Sequence, residues 1–275
     1  MRAIGLHIRL NETLTQVAEK ALRLELPFFQ CFLVLKSTGN LVKPPQEDIE
    51  SFLALRREHF EDLYIHGSYW INLAGITNTG HRALKRELEL AKRLEFNRFV
   101  IHPGSAKGGE SKLDGIDALA RALNELLKHE HDITMMLENT AHGGFSVGGD
   151  LHDFALLLQK LDRPENIKFC IDSAHAYSYG YDITTELGRD KFIKLLEDTI
   201  GINAVALLHL NDTNEKLGSK IDRHELIGKG RIGIDSLRAF VTHDKLVQIP
   251  LLMELPVVDE EVEVQMLTMV RSWHT

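Results

Sequence analysis

Six apolar segments of this 275-residue sequence end in, or close to, a histidine, an aspartate or a glutamate. These residues are His66, His102, Glu138, Asp172, His209 and Glu254. Taken singly, such a residue is usually a structural hydrogen-bonding group or a helix cap. Six of them in one buried mouth would each carry a large desolvation cost, and divalent cations are the simplest compensating charge. Imidazole and carboxylate ligands without thiolate favour Zn²⁺, with Mn²⁺ or Fe²⁺ as alternatives.

Three further residues have ligand-like spacing. Asp172 is followed three positions later by His175, and the pair could divide between neighbouring ions. Asp222 and His224 are two positions apart, so in an extended segment their side chains point to the same side. Nine candidate ligands exceed the needs of one or two zinc ions, but they match three ions if one carboxylate bridges. We therefore expect about three divalent ions per chain.

The segments that carry these residues predict the fold class. Short β-branched or aromatic runs alternate with amphipathic helical patterns along the whole chain. The runs are 3–8, 28–35, 62–66, 98–102, 133–138, 167–172, 205–211 and 250–254, and the helical patterns cover 14–22, 46–59, 81–94, 116–127, 150–161, 185–200, 234–243 and 259–273. Eight such alternations predict an α/β fold, a (β/α)₈ TIM barrel forming one domain over residues 1–275, with a doubly wound open sheet as the alternative. Strand carboxyl ends meet at one rim of a barrel, which would bring the candidate ligands together.

Composition limits the class of protein. Hydrophobic residues make up 44% and charged residues 26%, as in globular domains, and no apolar run reaches the roughly 18 residues that span a membrane. The two cysteines, Cys31 and Cys170, lie in apolar runs and favour a reducing compartment. The first seven residues resemble no secretory signal, so we expect a cytoplasmic protein without a membrane partner.

The net charge of −8 disfavours a nucleic-acid partner when considered alone. Three divalent ions would reduce it to about −2. The loop after the seventh predicted strand is also locally basic once Asp222 is assigned to metal. Its cationic residues are Lys216, Lys220, Arg223, Lys229 and Arg231. This loop is either a solvated charged segment or a surface that contacts phosphates.

Several motifs in order resemble those of the endonuclease IV family of apurinic/apyrimidinic (AP) endonucleases. They are His66–Leu73, Val100–Ser105, Leu137–Ala141, Cys170–Tyr177, Gly180–Asp182, His209–Asp212 and the most specific run, Gly218–His224 with Ile227–Gly230. The resemblance covers essentially the whole chain. It implies a zinc-dependent TIM-barrel hydrolase that cleaves the phosphodiester 5′ to an abasic site in double-stranded DNA and leaves a 3′-hydroxyl and a 5′-deoxyribose phosphate.

The resemblance also implies roles for the candidate ligands. His66, His102 and Glu138 would hold the first zinc ion. Glu138, Asp172, His209 and Glu254 would hold the second, and His175, Asp222 and His224 the third. Glu138 would bridge two ions and Glu254 would also orient the water nucleophile, so these two are the candidate catalytic residues. His7 corresponds to a family histidine that binds no metal, and we expect it to support the ligands.

Four segments depart from the family pattern, all of them away from the ligands. The loop after strand one reads Arg9–Glu12 instead of an Ala-Gly-Gly run, and the loop after strand two, Val34–Asn40, has no clear equivalent of the family's arginine. His142 stands where glycine is usual, and the large Trp70 follows Tyr69, which matches a DNA-inserting tyrosine of the family. We expect Tyr69, Trp70, Lys220 and Arg223 to contact damaged DNA.

Two other functions remain open from the sequence. A sugar isomerase or epimerase can use two metal ions at the same rim of the same barrel. The pair Asp222 and His224 argues against this, because such an enzyme needs no third ion. A non-catalytic DNA-binding relative is the other possibility, and the complete ligand set argues against it. We further expect a monomer in a prokaryotic cytoplasm, associated with the nucleoid.

Overall fold

Eight parallel strands close into a barrel in the order of the sequence, with each strand paired to the next and the last paired to the first. The computed structural model describes residues 2–11, 13–35, 38–77 and 79–274. The strands are β1 (Ile4–His7), β2 (Phe29–Cys31), β3 (Tyr64–His66), β4 (Arg98–Ile101), β5 (Thr134–Glu138), β6 (Ile167–Asp172), β7 (Val205–His209) and β8 (Leu251–Met253). The predicted (β/α)₈ barrel is confirmed, and closure of β1 on β8 rules out the open sheet.

Helices follow the strands and cover the outside of the barrel. Within the described residues they are α1 (Leu14–Arg23), α2 (Gln46–His59), α3 (Thr79–Arg93), α4 (Lys112–Leu127), α5 (His152–Leu158), α6 (Ser173–Tyr179), α7 (Glu186–Thr199), α8 (Ile234–Val241) and α9 (Glu260–Arg271), with 3₁₀ turns at Pro164–Asn166, Ile202–Ala204 and Ser272–His274. None of these helices is both long and apolar enough to cross a bilayer.

The predicted elements are all present; the sixth strand has the predicted bounds, the other strands are shorter, and there is one additional helix. The predicted strand 28–35 forms sheet pairs only over β2, because the chain then turns away and Val34 pairs with Leu41 inside the following loop. Helix α6 was not predicted. It begins immediately after β6, where the side chain of Asp172 accepts a hydrogen bond from the backbone nitrogen of His175 at 2.7 Å and caps the helix.

The inside of the barrel is filled by two layers of side chains because strand residues alternate between its two faces. The lower layer is apolar and consists of Phe28, Tyr64, Val100, Met136, Cys170, Leu207 and Leu252. The upper layer lies two residues further along each strand and consists of Gln30, His66, His102, Glu138, Asp172, His209 and Glu254. The candidate ligands therefore stand on a packed apolar floor at the carboxyl ends of the strands.

Candidate metal centre

Glu138 lies at the centre of the upper layer and is completely buried. Its Oε2 is 3.0 Å from His66 Nε2 and 3.2 Å from His102 Nε2. Its Oε1 is 3.1 Å from His209 Nδ1. One carboxylate thus faces imidazoles from three strands, and its two oxygens point toward two different groups of ligands.

The ligand atoms form overlapping groups whose members all lie within 4.8 Å of one another. One group is His66, His102 and Glu138, and another is Glu138, Asp172, His209 and Glu254. Both have the membership expected for the first and second ions, and Glu138 belongs to both.

The residues expected for a third ion also lie close together. Asp222 Oδ1 is 3.0 Å from His175 Nε2 and 3.6 Å from His224 Nε2. The ligand atoms here fall into two overlapping groups, His102 with His175 and Asp222, and Asp172 with His175 and His224. His175, Asp222 and His224 therefore do not form one separate group. His102 and Asp172 connect them to the first two groups, so all nine candidate ligands belong to one continuous cluster.

Hydrogen bonds on the outer side of the rings assign the histidine tautomers. His66 Nδ1 donates to the carbonyl of Gly67 at 2.8 Å, and His175 Nδ1 donates to the carbonyl of Asn139 at 2.9 Å. Each ring therefore turns its Nε2 toward carboxylate oxygens, and either a proton or a metal ion must lie between the two atoms to prevent repulsion of their lone pairs. The buried Nε2 atoms of His175 and His224 have no hydrogen-bond partner among the described residues. These side chains are therefore suited to hold metal ions.

The electrostatics of the cluster favour bound positive charge. Burial alone would raise the pKa of Glu138, but the imidazoles of His209 and His102 outweigh it and hold that pKa well below its ordinary value. Burial would lower the pKa of His175, but the carboxylates of Asp172 and Asp222 keep it well above its ordinary value. The cluster thus stabilises ionised carboxylates beside cations, and a metal ion can take the place of those protons.

Gln30 is a part of the site that the sequence analysis missed. It is completely buried on β2, its Nε2 donates to Glu254 Oε1 at 2.7 Å, and its Oε1 lies 3.2 Å from His209 Nε2. It therefore orients a carboxylate and fixes the tautomer of an imidazole. The available signal was the polar residue two positions after Phe28 in an otherwise apolar run.

His7 lies beside Gln30 and belongs to none of the ligand groups. Its Nδ1 is 3.0 Å from Gln30 Nε2 and 3.4 Å from Glu254 Oε1. This placement agrees with the expected supporting role.

Asn211 connects two of the ligands that come from different strands. Its Nδ2 donates to Asp172 Oδ2 at 2.6 Å, and its Oδ1 accepts from the backbone nitrogen of Glu254 at 2.9 Å. Asn139 similarly holds the backbone of Asp172, accepting from its nitrogen at 2.7 Å and donating to its carbonyl. The two amides limit the movement of Asp172 on both sides.

Asp212 holds the long loop that carries Asp222 and His224. Its buried carboxylate accepts hydrogen bonds from five backbone nitrogens at 2.8–3.3 Å. These belong to Thr213, Gly228, Gly230, Ile232 and Gly233. The loop has almost no secondary structure, so most of its backbone N–H groups cannot bond to a neighbouring strand or helical turn. The Asp212 carboxylate satisfies five of them and thereby orders the loop.

Replacing Asp212 by asparagine should loosen this loop. The amide turns an NH₂ group toward backbone donors, and hydrogen bonds to a charged acceptor contribute about 1.5–3 kcal/mol each. We expect the free energy of unfolding to fall by about 2–3 kcal/mol and roughly one ion per chain to be lost. Elemental analysis and denaturant unfolding measure both quantities. Asp235→Asn, the same change at an exposed residue of α8, is the control; equal behaviour of the two variants would contradict the assignment.

Comparison with known proteins identifies the family. The xylose isomerase-like TIM barrel family matches residues 19–270. A probable endonuclease 4 from Thermosipho melanesiensis is 31% identical over 264 residues, covering 93% of each chain. The chain belongs to the endonuclease IV family. A probable endonuclease 4 from Halorhodospira halophila is 35% identical over 216 residues, which are 76% of this chain and 73% of the relative. The crystal structure of endonuclease IV from Thermus thermophilus superposes with a TM-score of 0.83 at 27% identity, over 99% of this chain and 98% of that one.

Membership in the endonuclease IV family makes this chain an enzyme, a hydrolase of phosphodiester bonds. The geometry agrees with that class, because metal-assisted phosphodiester hydrolysis needs ions held at an open site. Here the mouth is open: the side chains of His102, Asp222, His224 and Glu254 are 13–18% exposed, although Glu138 below them is fully buried.

The two aromatic residues expected to contact DNA lie at the rim of the mouth. The side chains of Tyr69 and Trp70 are exposed, at 73% and 65%. The Tyr69 ring is centred 6.2 Å from the rings of both Phe32 and His102, so it stands beside the cluster. Trp70 points the other way and lies against the backbone of Gly39. Both are placed where bound DNA could reach them.

The two cationic residues expected to contact DNA differ from each other. Arg223 is largely exposed, and its nearest acidic partner is Glu215 at 3.7 Å. Lys220 instead lies with its ammonium 3.2 Å above the ring of Tyr179 and bonded to the Tyr179 carbonyl. Lys220 thus fastens the loop to α6 in this structure.

Three residues of the segments that depart from the family pattern, Glu12, Lys36 and Ser37, lie outside the described residues. His142, another departure, has its Nδ1 3.2 Å from the Lys220 carbonyl and so contacts the same loop.

Proposed function

We propose that this chain is an AP endonuclease that hydrolyses the phosphodiester 5′ to an abasic site in double-stranded DNA. The products would be a 3′-hydroxyl and a 5′-deoxyribose phosphate. The observation that carries the proposal is the continuous cluster of nine ligands, in which buried imidazole nitrogens face carboxylate oxygens. Membership in the endonuclease IV family supports DNA as the substrate.

Three metal ions would be held, the first two by groups of ligand atoms that already lie together and the third by residues divided between two overlapping groups. His66, His102 and Glu138 hold one ion, and Glu138, Asp172, His209 and Glu254 hold the next; His175, Asp222 and His224 hold the third. Zn²⁺ suits this ligand set, and Mn²⁺ is possible at one or more sites. Bound ions would lower the pKa of the attacking water and compensate charge on the phosphate and the departing 3′-oxygen.

Glu254 would orient the attacking water. Glu254 has one oxygen fixed by Gln30 and the other within 3.7 Å of His209 and His224, so its carboxylate is immobilised at the solvent-facing side of the cluster. From there it can accept a hydrogen bond from the water that attacks the phosphate and hold that water in line. Every ligand comes from one chain, so a monomer is sufficient for this site.

Selection of damaged DNA would depend on extrusion of the abasic sugar. Removing a nucleotide from the helix costs least where no base is paired or stacked. Tyr69 stands beside the ligands and Trp70 at the outer rim, where they can fill the space left in the duplex.

Replacing Trp70 by alanine should weaken binding to an abasic duplex by about ten-fold or more and leave binding to an intact duplex nearly unchanged. A base stacked on an aromatic ring contributes about 1–3 kcal/mol. Fluorescence anisotropy with matched duplexes at one salt concentration measures the difference. Trp70→Phe, which keeps a ring, should lose much less, and metal content should stay constant. An equal loss on both duplexes, or none, would show that Trp70 serves only as a packing residue at the rim.

The proposed activity is tested directly with an end-labelled duplex that contains one abasic site. We expect nicking on the 5′ side, with a product end that a DNA polymerase extends. Free aldoses and ketoses are incubated in parallel, because isomerisation without nicking would instead show a sugar isomerase. Binding without either reaction would show a non-catalytic relative.

A further inference from the structure

A surface groove lies beside the mouth of the barrel, between the loop after β2, the turn after β3 and helix α3. We call it the basic groove and define it by Thr38, Gly39, Trp70, Arg82 and Arg86. Its volume is about 320 Å³. It is separate from the nine ligands and is not used in the reaction described above.

The two arginines of the basic groove form no ion pair with an acidic side chain of the described residues, although Arg86 also interacts electrostatically with the carboxylate of Glu87. Arg82 and Arg86 are one turn apart on α3, both are exposed, and within the described residues neither takes part in a hydrogen bond or an ion pair. Glu87, the acidic residue that also lines the groove, is 3% exposed, and its two oxygens accept from the backbone nitrogen and the hydroxyl of Ser68. Its carboxylate is therefore engaged with the turn that carries Tyr69 and Trp70.

The indole of Trp70 forms one wall of the basic groove. It lies directly on Gly39, where a Cβ atom would come within 2.5 Å of the indole Nε1. Gly39 has a φ of +67°, so the absence of a side chain permits both this backbone conformation and the close approach. The residue proposed to sense the lesion and the arginine pair thus share one surface.

Positive charge continues beyond Arg86. That arginine also lines a neighbouring groove with Lys43 and Arg93, where Glu89 is the acidic residue. Arg82 and Arg86 are about 6 Å apart along the helix axis, and a DNA strand carries one phosphate per about 3.4 Å of its axis. The guanidinium groups of Arg82 and Arg86 are therefore spaced so that they can reach two phosphates of one strand that are one or two nucleotides apart.

We propose that the basic groove binds the sugar–phosphate backbone of the substrate duplex beside the abasic site. The inference rests on the proposed function, since it takes DNA as the substrate, and it adds contacts from helix α3 to those expected from the loops. It also supplies arginines on the side of the mouth where residues 32–45 contain none. Arginine is well suited to the role because its planar fork can donate two hydrogen bonds to one phosphate.

The test compares two double variants that lose the same charge. Arg82→Gln with Arg86→Gln removes the proposed contacts, and Arg121→Gln with Arg163→Gln removes two exposed arginines elsewhere, one on α4 and one just before β6. Kd is measured by anisotropy for abasic and intact duplexes over roughly 50–200 mM salt, and nicking is measured at saturating DNA.

We expect the first variant to raise Kd by about ten-fold or more on both duplexes, because backbone contacts are independent of the lesion. The slope of log K against log salt should become shallower by about 1.8, corresponding to two phosphates. The kcat at saturating DNA and the thermal midpoint should match those of the control variant.

Three other results would overturn the inference. These are a Kd and salt slope equal to those of the control variant, a loss confined to the abasic duplex, and a fall in kcat at unchanged Kd. The proposed function is judged separately: a wild-type protein that binds abasic DNA without nicking it would overturn the AP endonuclease assignment, while the binding comparison would still decide the role of the groove.

Discussion

Replacing Glu254 by glutamine is expected to lower kcat for nicking of an abasic duplex by about ten- to a thousand-fold, as for other single electrostatic groups at a reaction centre. The change removes a charge and a basic oxygen at nearly constant shape. KM should change little, because the proposed role of Glu254 is to orient the nucleophile and it is not among the residues expected to contact DNA. Initial rates over a range of DNA concentrations separate the two constants.

The position of Glu254 explains why the loss should be catalytic. His7, Gln30 and the backbone contact from Asn211 surround the residue and would hold a glutamine in nearly the same place. Circular dichroism and thermal unfolding should therefore be close to wild type, and most of the metal should remain. Glu260→Gln, at a partly exposed residue of α9 paired with Arg23, is the matched control. Activity within a factor of two of wild type would remove Glu254 from the reaction centre.

The fold and the location of the site were predictable because both follow from the alternation of apolar and polar residues within each short strand. A run such as Tyr64–His66 or Val100–His102 is apolar where it faces the barrel floor and polar two residues later. Parallel strands all end at the same rim, so the same alternation that predicts a strand also predicts where its last polar residue will lie. The closed barrel then brings together candidate ligands up to 188 positions apart in sequence, from His66 to Glu254.

The parts that escaped prediction depend on long-range contacts between irregular segments. Residues 212–233 have no periodic pattern from which to predict that the Asp212 carboxylate accepts five backbone hydrogen bonds. The contact of the Lys220 ammonium with the Tyr179 ring is equally absent from the sequence pattern. Gln30 belongs to the same alternation as the ligands, but an amide is a weak signal for metal chemistry. The contact of Trp70 with Gly39 joins two loops of which each alone has no periodic pattern.

Removing the metal ions is expected to destabilise the protein strongly. A ligand that binds only the folded state at 100 times its Kd stabilises it by about 2.7 kcal/mol, so three such ions would contribute about 8 kcal/mol. At about 2–4 °C per kcal/mol for a domain of this size class, dialysis against a chelator should lower the thermal midpoint by roughly 15 °C or more. The physical reason is that the completely buried Glu138 and Asp172 would keep their charge without the ions that offset it, or would have to take up protons.

The size of the shift should follow the number of ions. Elemental analysis of the purified protein should give about three divalent ions per chain, with zinc the main one, and adding Zn²⁺ back should restore both the midpoint and the nicking. The double variant Asp222→Asn with His224→Asn removes two of the three residues of the third group while keeping the buried pair of groups around Glu138. It should bind about two ions and show roughly two-thirds of the wild-type shift on chelation. A stoichiometry of one would contradict the three-ion cluster. A wild-type midpoint that moves by less than about 2 °C would mean that protons shared between the side chains, and not metal ions, stabilise the cluster.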